Sequence, residues 1–515
     1  MTDTARRPTE DPTDAPDRNR WRALGVCLAV GFMTLLDVSI VNVALPSIEG
    51  SLRAGSSQVQ WIVAGYALAF GLVLVPAGRI GDLYSRRAMF VAGLAGFVLT
   101  SAAAGLVQSA TALAVVRLAQ GITAGLVNPQ VLAIIQQLFT GAERGRAFGA
   151  FGTTIGLSTA VGPLLGGAIL AVFGEEEGWR GVFLVNVPIG LVLLPLAWRW
   201  LPRPERGAPR ARLHLDVVGL VLLGAATVLG MLPFVLTTGQ GDSPARWLLL
   251  VPGALLLVAF VLWERREGRH GREPVVDGEL VRTPSFSVGA LVGIAYFAGF
   301  TGIFLVVTLY LQSGLGFAPW QAGLVQTPFA VLSGLFAQIG GRQVSRRGRG
   351  VVVVGLVVVA VGLAAADLVA ASVQGTAGAI GLSACLAVAG AGSGLVISPN
   401  QTLALADVPP RVAGVAGGVL QTGQRVGSAV GVAAATAIFF STVAGAGLSG
   451  QARQAGAREV PAAVQEVFGQ ALSHGLRVSL GLVLLALVLA VVDQRRRVGH
   501  QHGAHDASVA KHRVQ

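Results

Sequence analysis

Asp37, Arg117, Asp367 and Arg425 stand inside stretches of sequence that are otherwise apolar. Burying an ion in lipid costs at least roughly 2.5–3.5 kcal/mol, so each should face a cavity or a partner. Asp37 lies in the run Leu36-Asp37-Val38-Ser39-Ile40-Val41-Asn42-Val43-Ala44-Leu45-Pro46. Withdrawal from water disfavours the charged form of an acid, so a carboxyl here can take up and release a proton near neutral pH. The alternative is a carboxylate locked in an ion pair with a neighbouring arginine. Arg117 opens Arg117-Leu118-Ala119-Gln120-Gly121. A guanidinium keeps its proton, so Arg117 acts as a fixed charge. It tunes a nearby acid, holds a substrate anion, or pairs with backbone carbonyls. Arg425 carries the same choice. Asp367 sits near the end of its stretch and reads as snorkelling to the interface.

The elements that hold these residues are transmembrane helices. The chain has 515 residues, 53% of them hydrophobic and 12% charged, with mean hydropathy +0.67. Soluble domains carry about 25% charged residues, so this chain cannot cover a water-facing surface. Its apolar residues come in blocks of the length that spans a bilayer as helix, about fourteen of them, from 22–45 to 472–492. The net charge of +12 could suggest a nucleic-acid partner. Most Lys and Arg fall instead on the side that carries both chain ends, which is the positive-inside pattern of a membrane protein with cytoplasmic termini. The eight tryptophans lie near predicted span ends, where an indole suits the headgroup boundary. Cys27 and Cys385 lie within spans and read as small packing residues, not a disulfide framework. The first twenty residues are polar and contain no removable signal peptide. The C-terminal tail is basic, then His-rich, and reads as a solvated end and not a metal site.

The organisation follows. Residues 1–20 form a cytoplasmic tail, expected to be disordered. A six-helix half spans 21–201, linker loops and two inserted helices fill 202–284, a second six-helix half spans 285–492, and a basic tail takes 493–515. The halves repeat each other weakly. Gly78-Arg79-Ile80-Gly81-Asp82-Leu83-Tyr84-Ser85-Arg86-Arg87 recurs as Gly341-Arg342-Gln343-Val344-Ser345-Arg346-Arg347. Arg146, Gly149 and Gly162 recur as Arg411, Gly414 and Gly427 at almost the same shift. Such duplication is the parallel repeat of some secondary transporters. In the fifth span, Gly156, Gly162-Pro163 and Gly166-Gly167 form a stripe. Glycines let helices approach closely, and Pro163 removes a backbone donor and kinks the helix. A generic small-residue seam would look the same.

Taken together, these residues resemble the major facilitator superfamily, in its fourteen-span drug:proton antiporter branch of the EmrB/QacA type. The loop with Gly78, Asp82, Arg86 and Arg87 resembles the superfamily signature between spans two and three. Arg117-x-x-Gln120-Gly121 resembles the fourth-span motif, and Gly156 with Gly162-Pro163-x-x-Gly166-Gly167 the antiporter motif. The Asp37 to Pro46 run resembles the first-span motif. Trp179-Arg180-x-x-Phe183-x-x-Asn186-x-Pro188 and Tyr310-Leu311-Gln312 also fit the branch. The resemblance implies an all-α polytopic fold of two six-helix bundles plus two inserted helices. It implies that Asp37 carries the proton, Arg117 modulates it, Asp82 locks the cytoplasmic side, and the fifth-span stripe marks export. Leu83 and Ser85 depart from the signature's arginine and glycine, which would weaken or re-pair that lock. Ser345 stands where the first copy has Asp82, so only the first half would keep that acid.

The function expected is proton-coupled efflux of amphipathic or cationic organic molecules across a bacterial cell membrane, by alternating access. Arg-rich, nearly Lys-free usage fits a high-GC bacterium. Asn42, Gln120, Asn128, Asn400, Gln424 and Arg425 are candidates to line a midplane cavity. The expected partners are the substrate, protons and the lipid bilayer, with no nucleic acid, no metal, no cofactor beyond the proton gradient, and a monomeric chain. A facilitator or importer of a small metabolite would share the fold without needing the proton site. A non-transporting sensor would carry a folded soluble domain, for which the polar segments are too short. An enzyme is not expected: the sequence has no zinc-type His cluster, no paired intramembrane acids and no Ser/His/Asp set.

Overall fold

The computed structural model describes residues 18–174, 176–203, 216–236, 244–272, 274–373, 375–446 and 461–512. Those residues contain 14 spans that are long and apolar enough to cross a membrane. The first half consists of α1 (Arg18–Leu52), α2 (Ser56–Leu83), α3 (Arg86–Leu106), α4 (Ala110–Leu138), α5 (Gly141–Phe173) and a broken sixth span. That span joins α6 (Gly178–Leu184) to α7 (Asn186–Trp200). Pro188 explains the break, because it has no N–H to offer the carbonyl of Leu184. Next come the inserted α8 (Val217–Val235) and α9 (Leu250–Arg269), then the short α10 (Gly278–Arg282). The second half holds α11 (Pro284–Leu309), α12 (Pro319–Arg347), α13 (Arg349–Ser372), α14 (Gly375–Ala404), α15 (Ala413–Gly445) and α16 (Ala462–His512).

Local chemistry sets several helix starts. Ser85 and Ser109 accept hydrogen bonds from Ala88 N (3.1 Å) and Ala112 N (3.2 Å), and Asp216 accepts from Gly219 N (2.8 Å). Each supplies an acceptor for a backbone donor that has no partner inside its own helix. Ser85, which departs from the loop signature, is thus the N-cap of α3.

Each half has its own core. Phe90, Phe97 and Phe148 are buried in the first, Leu356, Leu386 and Phe439 in the second. Ile40, Val41, Trp179 and Phe183 make a smaller cluster in the first half. Trp179 is therefore an exception to the tryptophan belt: it is fully buried, while Trp198 and Trp320 are exposed. α8 packs against α2 and α15, with Gly224 set against Leu72. α9 presents Leu255, Val258 and Leu262 outward, where lipid would cover them.

The halves meet along two seams, α2 against α15 and α5 against α12. Each closes on glycine. A side chain on Gly78 of α2 would collide with the backbone of Gly414 on α15, and one on Gly341 of α12 with Gly145 and Gly149 of α5. Gly78 and Gly341 are repeat partners in the sequence, as are Gly149 and Gly414. The two seams are thus copies of one contact, which gives the duplicated sequence its pseudo-twofold structure.

The ends depart in detail from the expected division. The chain beyond Val492 continues α16 as helix to His512. The polar tail over residues 1–17 lies outside the described residues. Cys27 is buried and Cys385 half-buried, and both are free thiols.

Candidate functional site

Asp37 lies at mid-length in α1 and is fully buried. Its Oδ2 accepts from Arg117 Nη1 at 2.5 Å. Its Oδ1 accepts from Gln120 Nε2 and Asn186 Nδ2, each at 3.0 Å. Arg117 and Gln120 sit one turn apart on α4, so both reach the same carboxylate. The arginine also donates to Gln120 Oε1 (2.7 Å) and to Ile62 O of α2 (3.2 Å). Its guanidinium lies 4.2 Å from the Tyr66 ring centroid, within cation–π range. Ser101 of α3 accepts from Gln120 at 2.8 Å and from Asn186 at 3.5 Å. A single acid thus draws donors from α4 and α7 and joins five helices of the first half. Of the two readings open for Asp37 in the sequence, the structure has the ion pair. That pair is one member of a wider hydrogen-bond network.

The sequence does not single out Asn186 or Ser101 as site residues. Asn186 stood inside a motif, and its signal was a carboxamide in an apolar span just before a helix-breaking proline. Ser101 gave no signal, because serine is common in membrane helices.

Arg117 also faces a cavity of about 60 Å³ between the halves, whose wall includes Asn42, Tyr66, Phe70 and Arg425. A water needs at least roughly 10–15 Å³, so this conformation admits a few waters and no drug-sized molecule. Of the polar residues expected to line the cavity, Asn42 and Arg425 do so. Gln120 is behind the wall, bound to Asp37. Asn128 donates to Ala124 O of its own helix (3.2 Å), and Gln421 donates to its backbone carbonyl (3.4 Å). Asn400 accepts from Arg349 (2.8 Å) and donates to Gly289 O (2.8 Å). Gln424 points toward Gly293 of α11. These groups turned into their own bundles because buried amides need partners, and helical facing cannot be read from residue type alone.

The loop residues assemble at the end of the molecule where α1 starts and α16 finishes. Asp82 accepts from the backbone N–H of Gly414 (3.1 Å) and Val415 (2.9 Å), at the start of α15. A carboxylate at a helix N-terminus meets unpaired donors and the positive end of the helix dipole. Arg86 grips the same carboxylate at 2.7 Å and donates across the seam to Pro410 O. Gln136 likewise donates across the seam to the carbonyls of Leu405 and Val408. Arg87 does not cross; it donates to Trp198 O and covers that indole at 4.6 Å. The latch closes with Leu83 and Ser85 in place.

In the second half, Arg349 binds Asp493 of α16 at 2.7 Å and Asn400 at 2.8 Å. Arg86 and Gln137, one repeat earlier, make the matching contact at 3.1 Å. Ser345 removed the acid from the repeated loop, yet Asp493 supplies one from elsewhere in the chain. Asp367, read as snorkelling, accepts from Arg477 (3.0 Å) and Ser473 of α16.

The α5 stripe does not form one face. Gly156 packs on Ala330 and Gly334 of α12, across the halves, whereas Gly162 and Gly166 pack on Ser39 and Ile40 of α1. Pro163 faces Gly323 of α12, and Gly167 meets open space.

Residues 27–432 match the family described as the Major Facilitator Superfamily. The chain is 37% identical over 426 residues to the "Probable actinorhodin transporter" of Streptomyces coelicolor, covering 82% of this chain and 73% of the relative. It is 33% identical to the "Tetracenomycin C resistance and export protein" of Streptomyces glaucescens, covering 82% and 76%. The fold is shared with the solved human organic anion transporter MFSD10, with a TM-score of 0.61, 16% identity, and 93% of this chain and 100% of that one covered.

Proposed function

Because the chain belongs to the major facilitator superfamily, a family of transporters and not enzymes, we propose that it is a proton-driven exporter of amphipathic organic molecules from a bacterial cell. The carrying observation is the buried Asp37 carboxylate, held by Arg117 at the wall of the cavity between the halves. Relatives named for antibiotic transport, resistance and export support the outward direction. The end that carries the termini is assigned to the cytoplasm, so this state is closed on that side by Asp82, Arg86 and Gln136. The proton gradient is the energy source, and the chain works in the bilayer as a monomer without a cofactor.

A proton arriving from outside neutralises Asp37 and leaves Arg117 without its carboxylate. Breaking a buried ion pair costs about 3–5 kcal/mol. Moving a two-state equilibrium from 1:99 to 99:1 takes about 5.5 kcal/mol. Protonation therefore provides a large part of the bias that alternating access requires. The cavity then has to widen as the cytoplasmic seam opens, since about 60 Å³ holds no organic substrate.

Inside-out vesicles with an imposed pH gradient test this reading. Fluorescent amphipathic dyes should accumulate, and an uncoupler should abolish the accumulation. Gradient-driven uptake that survives Asp37→Asn unchanged would remove the proton-coupling claim.

A further inference from the structure

Two guanidinium groups, and no carboxylate, line the cavity between the halves. Arg117 leaves little net charge there, because Asp37 accepts from it at 2.5 Å just behind the wall. Arg425 is different. It enters from α15 of the second half and stacks over Phe70 of the first at 4.6 Å. Among the described residues it has no carboxylate partner. A ring face offsets only part of what a guanidinium loses on leaving water. The charge also persists at every physiological pH, since arginine keeps its proton.

We propose that Arg425 selects substrate charge, and that the exported molecules are anionic aromatics: flat ring systems bearing a carboxylate, sulfonate or enolate. A guanidinium forms paired, charge-assisted hydrogen bonds to such oxyanions. Tyr66 and Phe70 supply ring faces beside it, and Val38, Val41 and Val63 make the neighbouring wall apolar. A cationic substrate would instead meet Arg425 at short range in a medium of low dielectric, where like charges repel strongly. This inference rests on the efflux reading and narrows it, replacing the cationic class expected from the sequence. It also has an electrical consequence. An anion leaving as a proton enters moves two charges in the same sense, whereas a cation exchanged for a proton moves none. Membrane potential, negative inside the cell, therefore drives the first exchange and not the second.

The test uses one ring system with two permanent charges, anthracenesulfonate and (anthracenylmethyl)trimethylammonium, whose charges do not change with pH. Binding to the purified full-length protein is followed by fluorescence, and uptake is followed in inside-out vesicles at clamped potential. The sulfonate should bind roughly tenfold or more tightly than the ammonium, the scale of one charge-assisted contact. Arg425→Gln should erase that preference and Arg425→Lys should keep most of it. Both variants should elute as monodisperse protein. Sulfonate uptake should accelerate as the potential rises. A wild-type preference for the ammonium, or a sulfonate preference undiminished in Arg425→Gln, would overturn the assignment. Intact charge preference without vesicle uptake of either compound would support the role of Arg425 and count against the export reading alone.

Discussion

Asp37 illustrates how a single carboxylate finds partners at depth in a membrane protein. It is fully buried, and its oxygens accept from Arg117, Gln120 and Asn186. Removing one partner should be worse than removing both, because the survivor is then a buried, unpaired charge. We therefore expect Asp37→Asn to lower stability by about 3–5 kcal/mol. The double variant Asp37→Asn with Arg117→Gln should recover most of that loss while remaining unable to use a proton gradient. Thermal unfolding in detergent measures the first effect and vesicle uptake the second. Recovery of uptake in the double variant would mean that the proton is carried elsewhere. Asn186 belongs to the same unit: Asn186→Leu should weaken coupling without unfolding the protein, since it leaves the Asp37–Arg117 pair in place.

The helix ends act as the mechanical parts. α2 and α15 approach so closely at Gly78 and Gly414 that neither position can hold a side chain without backbone movement. Gly78→Val should hold that end of the seam open. With the native cysteines replaced by serine, a Val415→Cys probe should react with maleimide at least several-fold faster in that background. An unchanged labelling rate would show that the seam does not close there. α16 has a comparable duty in the second half, where Asp493 pairs with the buried Arg349. Truncation after Val492 removes that acid and should destabilise the protein by about 3–5 kcal/mol. A truncated chain that melts at the wild-type temperature would show that the tail carries no structural load. Both effects depend on helix ends that sequence spacing alone does not join, since Asp82 meets Val415 and Arg349 meets Asp493 only after the bundles assemble.

At the scale of the molecule, the 14 spans among the described residues put the start of α1 and the end of α16 on one side. We propose from the distribution of Lys and Arg that this side is cytoplasmic, and a reporter fused to the C-terminus should then be active only inside the cell. An extracellular signal would reverse the orientation of the latch and of the export direction. The sequence by itself determined the spans, their number, the two halves and the inserted pair, because lipid demands long apolar helices and duplication leaves matching glycines. It also marked Asp37 and Arg117, since ions are rare and costly in such helices. Only the tertiary structure decided what those ions face. The pairing of Asp37 with Arg117, Gln120 and Asn186, the withdrawal of Asn128 and Asn400 from the cavity, and the exposure of Arg425 within it depend on helix rotation and on contacts between distant spans. A single chain of letters carries periodicity along each helix, but the angle at which one helix meets another is set by how all of them pack.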